Sequence, residues 1–271
     1  MLYDGNGNVI HIGSMGNVTA KNEIMRSINH RGFNSVAPEN TIPAYILSRQ
    51  NGFKYVECDV TLTSDGVAVL LHDATIDRTS NGSGSISQLT YAQVAQFDFG
   101  SWKSADYAGT KIPTFEEFIL ACKGLGLYPY IELKSDSAYT QEQIRALVEA
   151  VNSCGMTGNV TWISFTASYL EYVRNADPTA RLGLVCYAIS ETVISGATAL
   201  LNGTNQVFVD ARYMDLTDET VTLCMDAGLP LEVWCPNTES AIQNLHPYVT
   251  GVTSDSVIAE NALKGKYIAV S

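Results

Sequence analysis

Tyr55-Val56-Glu57-Cys58-Asp59-Val60-Thr61-Leu62 is followed by Thr63-Ser64-Asp65-Gly66 and then by Val67-Ala68-Val69-Leu70-Leu71-His72. The first segment reads as a strand, with β-branched and aromatic residues around a polar alternation. Asp-Gly between two apolar runs is a hairpin signal. So short a connection makes the two strands antiparallel, because parallel neighbours need a crossover of about a dozen residues or more. The second run is therefore an excursion from the first strand, not the next member of a series. With it set aside, the chain becomes a regular alternation of strands and helices.

That alternation begins with a strand over Arg26–His30 and a helix that Asn40 or Thr41 can cap, with Pro43 in its first turn and Gly52 at its end. Strand two runs from Lys54 to Leu62. Residues 74–112, rich in Gly and Ser, continue the excursion, so that about 63–112 forms an ordered insertion whose aromatics Phe97, Phe99, Trp102 and Tyr107 are expected to pack. Thr114-x-x-Glu117 is a capping box, and Phe115, Phe118, Ile119 and Cys122 follow as one helical stripe. Strands are then expected at Leu127–Lys134, Val160–Phe165, Arg181–Tyr187, Gln206–Asp210, Leu231–Cys235 and Val249–Ser254, with a helix after each. Thr140-x-x-Gln143 opens the first of these helices, and the last is expected at 256–263. Eight strands, each followed by a helix, predict a (β/α)8 TIM barrel with a small insertion after strand two. A doubly wound sheet alternates similarly, but no G-x-G-x-x-G turn follows strand one, which disfavours the dinucleotide-binding version. Residues 1–25, polar and rich in Gly and Asn, are expected to be an arm or a junction, and 26–271 the barrel domain.

The chain has 271 residues and a net charge of −12, from 16 basic and 28 acidic residues. This charge argues against nucleic-acid binding, and it means that an anionic substrate must be held locally by a metal or a few cations. No apolar run approaches the roughly 20 residues of a membrane span. No basic stretch followed by an apolar one opens the chain, so no signal peptide is expected within it. The compartment, cytoplasmic or extracellular, stays open, as does the oligomeric state. The six cysteines form no C-x-x-C pair, so they read as small buried hydrophobes rather than a zinc site or a disulfide framework.

Active sites of such barrels lie at the C-terminal ends of the strands. Those ends carry His30 and Arg31, Glu57 and Asp59, Glu132 and Lys134, Trp234 and Asn237, and Asp255. Side chains alternate along a strand, so Glu57 and Asp59 share one face while Cys58 takes the other with Val56 and Val60. Glu132 and Lys134 share a face in the same way. Two buried carboxylates this close repel, and a hard divalent cation such as Mg2+ or Ca2+ removes the penalty. The plain alternative is an exposed strand face with two solvated acids. Of four histidines, His30 and His72 fall beside these carboxylates, where imidazole suits proton transfer near neutral pH. His11 lies in the arm, and His246 reads as structural. Cations, a metal site and an acid/base pair suit phosphoryl transfer, whereas sugar hydrolysis needs only two carboxylates.

The chain resembles the glycerophosphodiester phosphodiesterases, whose barrel is shared with phosphatidylinositol-specific phospholipases C. The resemblance rests on His30-Arg31-Gly32, Ala37-Pro38-Glu39-Asn40-Thr41, Glu57-Cys58-Asp59-Val60 and Asp65-Gly66. It continues with His72 through Gly82, Ile112 through Glu117, Ile131-Glu132-Leu133-Lys134, Trp234 with Asn237, and Gly251 through Asp255, covering roughly 26–265. It implies that Glu57, Asp59 and Glu132 hold one divalent cation, Mg2+ or Ca2+. It also implies that His30 and His72 are the acid/base pair, that Arg31 and Lys134 bind the phosphate, and that Trp234 packs on the glycerol. The implied reaction releases glycerol 3-phosphate and an alcohol. Two departures fall at the rim where that alcohol would sit: Cys235-Pro236 stand where the family has a small polar and an aliphatic residue, and Asp255 lacks the proline common two positions on.

The expected partner is a small glycerophosphodiester or a glycerol-phosphate polymer such as teichoic acid. A phospholipase D-like enzyme is the alternative within the fold, and it would need an exposed apolar loop. Trp102 and Tyr107 are the candidates, although the turn signals around them predict packing. A catalytically inactive binding module conflicts with the presence of every catalytic-type residue.

Overall fold

The computed structural model of the protein describes residues 25–203 and 206–255. The arm, His11 and the expected helix at 256–263 lie outside the described residues. Strand β1 (Arg26–Asn29) leads to α1 (Ile42–Gln50) and β2 (Tyr55–Leu62), and the excursion forms β3 (Ala68–Leu70) and the short α2 (Tyr91–Val94). Then come α3 (Phe115–Leu125), β4 (Tyr128–Leu133), α4 (Gln141–Ser153), β5 (Thr161–Ser164) and α5 (Ala167–Ala176). The rest is β6 (Arg181–Cys186), α6 (Glu191–Ala199), β7 (Val207–Arg212), α7 (Asp218–Ala227), β8 (Leu231–Trp234), α8 (Glu239–Gln243) and β9 (Val249–Ser254).

The parallel strands run in the order β1-β9-β8-β7-β6-β5-β4-β2, and β1 also pairs with β2, so the sheet closes into an eight-stranded barrel. β3 lies outside the closed ring. It pairs antiparallel with the end of β2, Val60 opposite Leu70 and Leu62 opposite Ala68. The expected capping boxes form at Thr114 with Glu117 and at Thr140 with Gln143. Thr41 occupies the N-cap of α1 without capping it through its side chain, which donates to the Pro38 carbonyl at 2.6 Å. Asn40 is spent elsewhere, as described below.

Side chains facing outward from the strands, among them Val56, Cys58, Val60, Ile131 and Leu133, bury against the helices. Those facing inward fill the barrel in layers. At the bottom, Glu232 Oε1 takes Arg26 Nη1 at 3.0 Å and Arg181 Nη2 at 2.7 Å, and the Arg181 guanidinium lies 4.0 Å from the Phe208 ring centroid. Above this plug sit Ile28, Tyr130, Ile163, Val185 and Phe208. The packed interior supports the catalytic end and leaves no pore through it.

The insertion has a core of its own, built from Val69, Leu71, Ile76, Ile86, Val94, Phe99 and Ile112. Phe99 is buried as expected, but Trp102 is not: 37% of it is exposed. Its indole Nε1 donates to the Phe99 carbonyl at 3.0 Å, and Lys103 Nζ lies 5.7 Å from its ring centroid. A backbone acceptor and a cation satisfy this aromatic at the surface, so it does not need burial. The described cysteines are all free, and each is buried except Cys235, which is half-buried.

Candidate active site

Strand ends converge on a cavity of about 780 Å3 whose lining includes His30, Arg31, Glu57, His72, Glu132, Lys134 and Trp234. Asp59 lies directly beneath them, fully buried. One carboxylate oxygen from each of Glu57, Asp59 and Glu132 comes within 4.8 Å of the others. The alternation in β2 and the register of β4, with Asp59 opposite Glu132, produce this meeting. The reading of two solvated acids fails, since Glu57 is 2% exposed.

The oxygens of this trio are incompletely used. Glu57 Oε1 is sealed from solvent without a hydrogen-bond donor. Asp59 Oδ1 and Glu132 Oε1 are likewise outside hydrogen-bond geometry and face the Lys134 ammonium at 3.4 and 2.9 Å. Burial pushes the Glu57 carboxyl well above the usual range, and Asp59 and Glu132 push it further. Burial and Asp59 raise Glu132 as well, against the pull of Lys134. Burial opposes ionisation of Asp59 too, but the charges of Arg31 and Lys134 outweigh it and hold Asp59 below its usual range. Hard oxygens that are buried, convergent and short of donors fit one divalent cation.

The backbone around the trio is bent to serve it. Arg31 and Asn40 are non-glycine residues at φ +54° and +56°. The turn lets Arg31 N donate to Glu57 Oε2 at 2.9 Å. Asn40 clamps Asp59 from two directions: its Nδ2 donates to Oδ2 at 2.8 Å, and its Oδ1 accepts from the Asp59 amide at 3.2 Å. The Tyr45 hydroxyl donates to the same Oδ1 at 3.1 Å. Gly32, at φ +76°, sits where a Cβ would come within 2.8 Å of the Ala44 Cβ. The His30-Arg31-Gly32 turn is thus pressed against α1 and has no room for a side chain at its third position.

Each histidine has a carboxylate behind it. His30 Nδ1 lies 2.6 Å from Asp255 Oδ1, and its Nε2 is 3.9 Å from Glu57 Oε2. Asn34 Nδ2 donates to the same Asp255 oxygen at 2.6 Å, and Asn237 Nδ2 donates to the other. Although burial opposes it, the contacts of Asp255 with His30 and Asn34 hold its carboxyl well below the usual range. His72 Nδ1 lies 2.7 Å from Asp73 Oδ1. The hairpin delivers His72 to this end of the barrel, for the Leu71 amide donates to the Asp59 carbonyl at 3.1 Å.

Two cations border the carboxylates. Arg31 Nη1 meets Glu39 Oε1 at 2.8 Å, and its Nε lies 3.2 Å from Asp59 Oδ2. For both Arg31 and Lys134 burial favours the neutral form, yet Asp59 and its neighbours more than offset it and keep them charged. Trp234 shares an aromatic wall with Phe165 and Tyr187, at centroid distances of 6.1 and 5.6 Å, and its Nε1 is buried without an acceptor.

The residues singled out in the sequence therefore meet at one place: His30, Arg31, Glu57, Asp59, His72, Glu132, Lys134 and Trp234. The sequence reading missed Glu39, Asp73, Arg78 and Asp210 as parts of the site. The first three stand inside motifs it quoted; Asp73 meets His72 and Arg78 locally, whereas Arg78 reaches Glu39 across 39 positions. Asp210 closes a β-branched run and is 2% exposed, with Oδ1 lacking a partner. Burial pushes its carboxyl well above the usual range. An acid at the end of an apolar strand was the available signal.

Comparison with known proteins agrees with this geometry. Residues 30–259 match the model of the glycerophosphoryl diester phosphodiesterase family. The chain is 30% identical over 255 residues to the glycerophosphodiester phosphodiesterase of Bacillus subtilis (strain 168), covering 88% of this chain and 86% of that one. A phosphodiesterase from Oleispira antarctica, solved in complex with the product sn-glycerol-3-phosphate, superposes with a TM-score of 0.77 at 26% identity, over 89% of this chain and 97% of that one. A putative glycerophosphoryl diester phosphodiesterase from Silicibacter pomeroyi DSS-3 superposes with a TM-score of 0.79 at 21% identity, over 91% and 95% of the two chains. The chain belongs to the glycerophosphoryl diester phosphodiesterase family, and it is a phosphoric diester hydrolase of glycerophosphodiesters.

Proposed function

We propose that the protein hydrolyses small glycerophosphodiesters to glycerol 3-phosphate and an alcohol, with one divalent cation on Glu57, Asp59 and Glu132 and with His30 and His72 exchanging protons. The observation that carries this reading is three convergent carboxylates, each with one buried oxygen that lacks a hydrogen-bond donor, beside a cavity lined by two carboxylate-backed imidazoles. Glu57, Asp59 and Glu132 would hold the cation, which would supply Lewis-acid polarisation of the phosphoryl group and offset its charge. Arg31 and Lys134, both held in the charged form, grip the remaining phosphate oxygens. One imidazole takes the proton from the attacking hydroxyl, whether water or a neighbouring glycerol hydroxyl, and the other supplies one to the leaving alkoxide. Asp255 and Asp73 orient the rings by engaging Nδ1, which leaves Nε2 for the substrate. Trp234 offers an apolar face to the glycerol, and the sn-glycerol-3-phosphate bound by the Oleispira antarctica relative supports a ligand of this class.

The test is alcohol release from glycerophosphocholine, glycerophosphoglycerol and a teichoic acid, after EDTA treatment and with Mg2+ or Ca2+ restored singly. Full turnover after EDTA removes the cation from the reading. Turnover of the polymer alone replaces the small substrate with a glycerol-phosphate chain.

A phospholipase D-like use of lysophospholipids is supported by one observation, the exposure of Trp102 on the insertion. Faster turnover on substrate vesicles than on soluble diesters, lost in Trp102→Ala, would establish it.

A further inference from the structure

Outside the carboxylate trio, one other group of metal-ligating side chains converges among the described residues. His30 Nδ1, Cys235 Sγ and a carboxylate oxygen of Asp255 lie within 4.8 Å of one another. We propose that these three residues form an inhibitory site for a borderline-soft divalent cation, zinc by donor chemistry, on the side of the His30 ring facing away from the carboxylate trio.

The donor set is one sulfur, one nitrogen and one oxygen, which suits zinc and suits neither magnesium nor calcium. Cys235 Sγ stands 3.6 Å from His30 Nδ1. Tetrahedral zinc with ordinary bond lengths places its sulfur and nitrogen ligands about 3.5 Å apart. The 2.6 Å between Nδ1 and Asp255 Oδ1 must widen to about 3.3 Å for the ion to enter. The Asp255 side chain is 33% exposed and so has room to give. Asn34 and Asn237, which already donate to this carboxylate, would orient it from outside the ligand set. His30 and Cys235 both line the cavity, so water from it would complete the coordination.

Binding balances as follows. The Cys235 thiol loses its proton to solvent and ligates as thiolate. The neutral His30 ring gives up the Nδ1 proton in favour of the tautomer protonated at Nε2, so one proton leaves per ion bound. Nδ1 then carries the metal, and Nε2, the nitrogen facing Glu57, carries a proton that it cannot cycle. Turnover stops although substrate still binds. The inhibition rests on the proton-transfer role given to His30 above, whereas the binding does not.

The test keeps the two apart. Zinc is titrated against glycerophosphocholine turnover at saturating Mg2+ or Ca2+, in the wild type and in Cys235→Ser and Cys235→Ala. Cobalt is added separately, and the thiolate-to-cobalt absorption in the near ultraviolet is read without substrate. We expect zinc to inhibit the wild type with kcat falling and KM unchanged. Measured against each variant's own zinc-free turnover, both variants should raise the inhibitory zinc concentration at least about tenfold, and both should lose the cobalt band. Equal zinc sensitivity in all three proteins places the ion on the carboxylate trio and overturns the site. Absence of the cobalt band from the wild type overturns it as well. A band without inhibition overturns the inhibitory half and removes His30 from proton transfer.

Discussion

Arg78 grips Asp73 with two donors, Nε on Oδ2 at 2.6 Å and Nη2 on Oδ1 at 3.0 Å, and that same Oδ1 engages His72 Nδ1 at 2.7 Å. The other side of its guanidinium holds Glu39 at 2.7 and 2.8 Å, and Glu39 Oε1 in turn holds Arg31. One arginine on the insertion thus braces both His72 and Arg31, the proposed proton carrier and phosphate ligand, without reaching the cavity lining.

Arg78→Ala should therefore lower kcat/KM by about 10- to 100-fold, the scale on which misplacing a positioned group acts. Arg78→Lys should restore little, because an ammonium cannot present two parallel donors to each of two carboxylates. Steady-state kinetics of both variants, with unchanged melting curves, check this. Full activity in Arg78→Ala would reduce the network to surface decoration.

His30→Ala should cut turnover by roughly 10²- to 10⁴-fold while the circular dichroism spectrum and melting curve stay those of the parent. Asp255→Asn should cost less than the loss of the imidazole, since the ring remains and only its orientation is weakened.

Glu57→Gln should weaken the divalent cation at least about tenfold in calorimetry and lower turnover with it. Without added metal the same variant should melt no lower than the parent, because it removes one of three mutually repelling buried carboxylates. An unchanged cation affinity would take Glu57 out of the ligand set.

The pH dependence of stability follows from Asp73. Its hydrogen bonds from Arg78, against a smaller effect of burial, lower its carboxyl to about 2. The unfolded chain protonates it near 3.9. The unfolded state then binds the extra proton, so the stabilisation is complete above about pH 4 and is lost between about pH 4 and 2. The difference in melting temperature between the parent and Asp73→Asn should shrink across that window. A difference independent of pH would mean that the carboxylate charge is not what the fold uses.

Gly32→Ala should destabilise the fold by about 1–3 kcal/mol, since it adds a Cβ 2.8 Å from that of Ala44 at a φ of +76°. Denaturant unfolding measures it. Activity should drop beyond the stability loss, because Arg31 shares the turn.

Strand periodicity made part of this site legible in advance. Two acids two residues apart must share a face, and the Asp-Gly hairpin had to turn back on β2, so Glu57, Asp59 and the excursion could be placed from local rules. What periodicity could not supply was pairing across the fold. His30 and Asp255 meet over 225 positions, and no spacing rule reaches that far. Asn40 looked like a helix cap because isolated Asn prefers that position; the need of a buried Asp59 for donors overrode the preference. β7 continues past the expected Asp210 to Arg212 because Ala211 and Arg212 pair with Val233 and Trp234 of β8, a neighbour that the sequence does not reveal. Trp102 was expected to pack, and a carbonyl and a lysine sufficed instead.

The insertion keeps its own small interior, separate from the layers inside the barrel. His30 comes from a stave of the barrel, whereas His72 is carried by this outlying piece. On the mechanism proposed above, the ring alone would supply the cation ligands and one of the two imidazoles, and the other comes from a neighbour folded around seven apolar side chains of its own. Loosening that neighbour would then withdraw His72 while sparing the proposed cation and phosphate ligands on the staves, stopping turnover without touching the barrel.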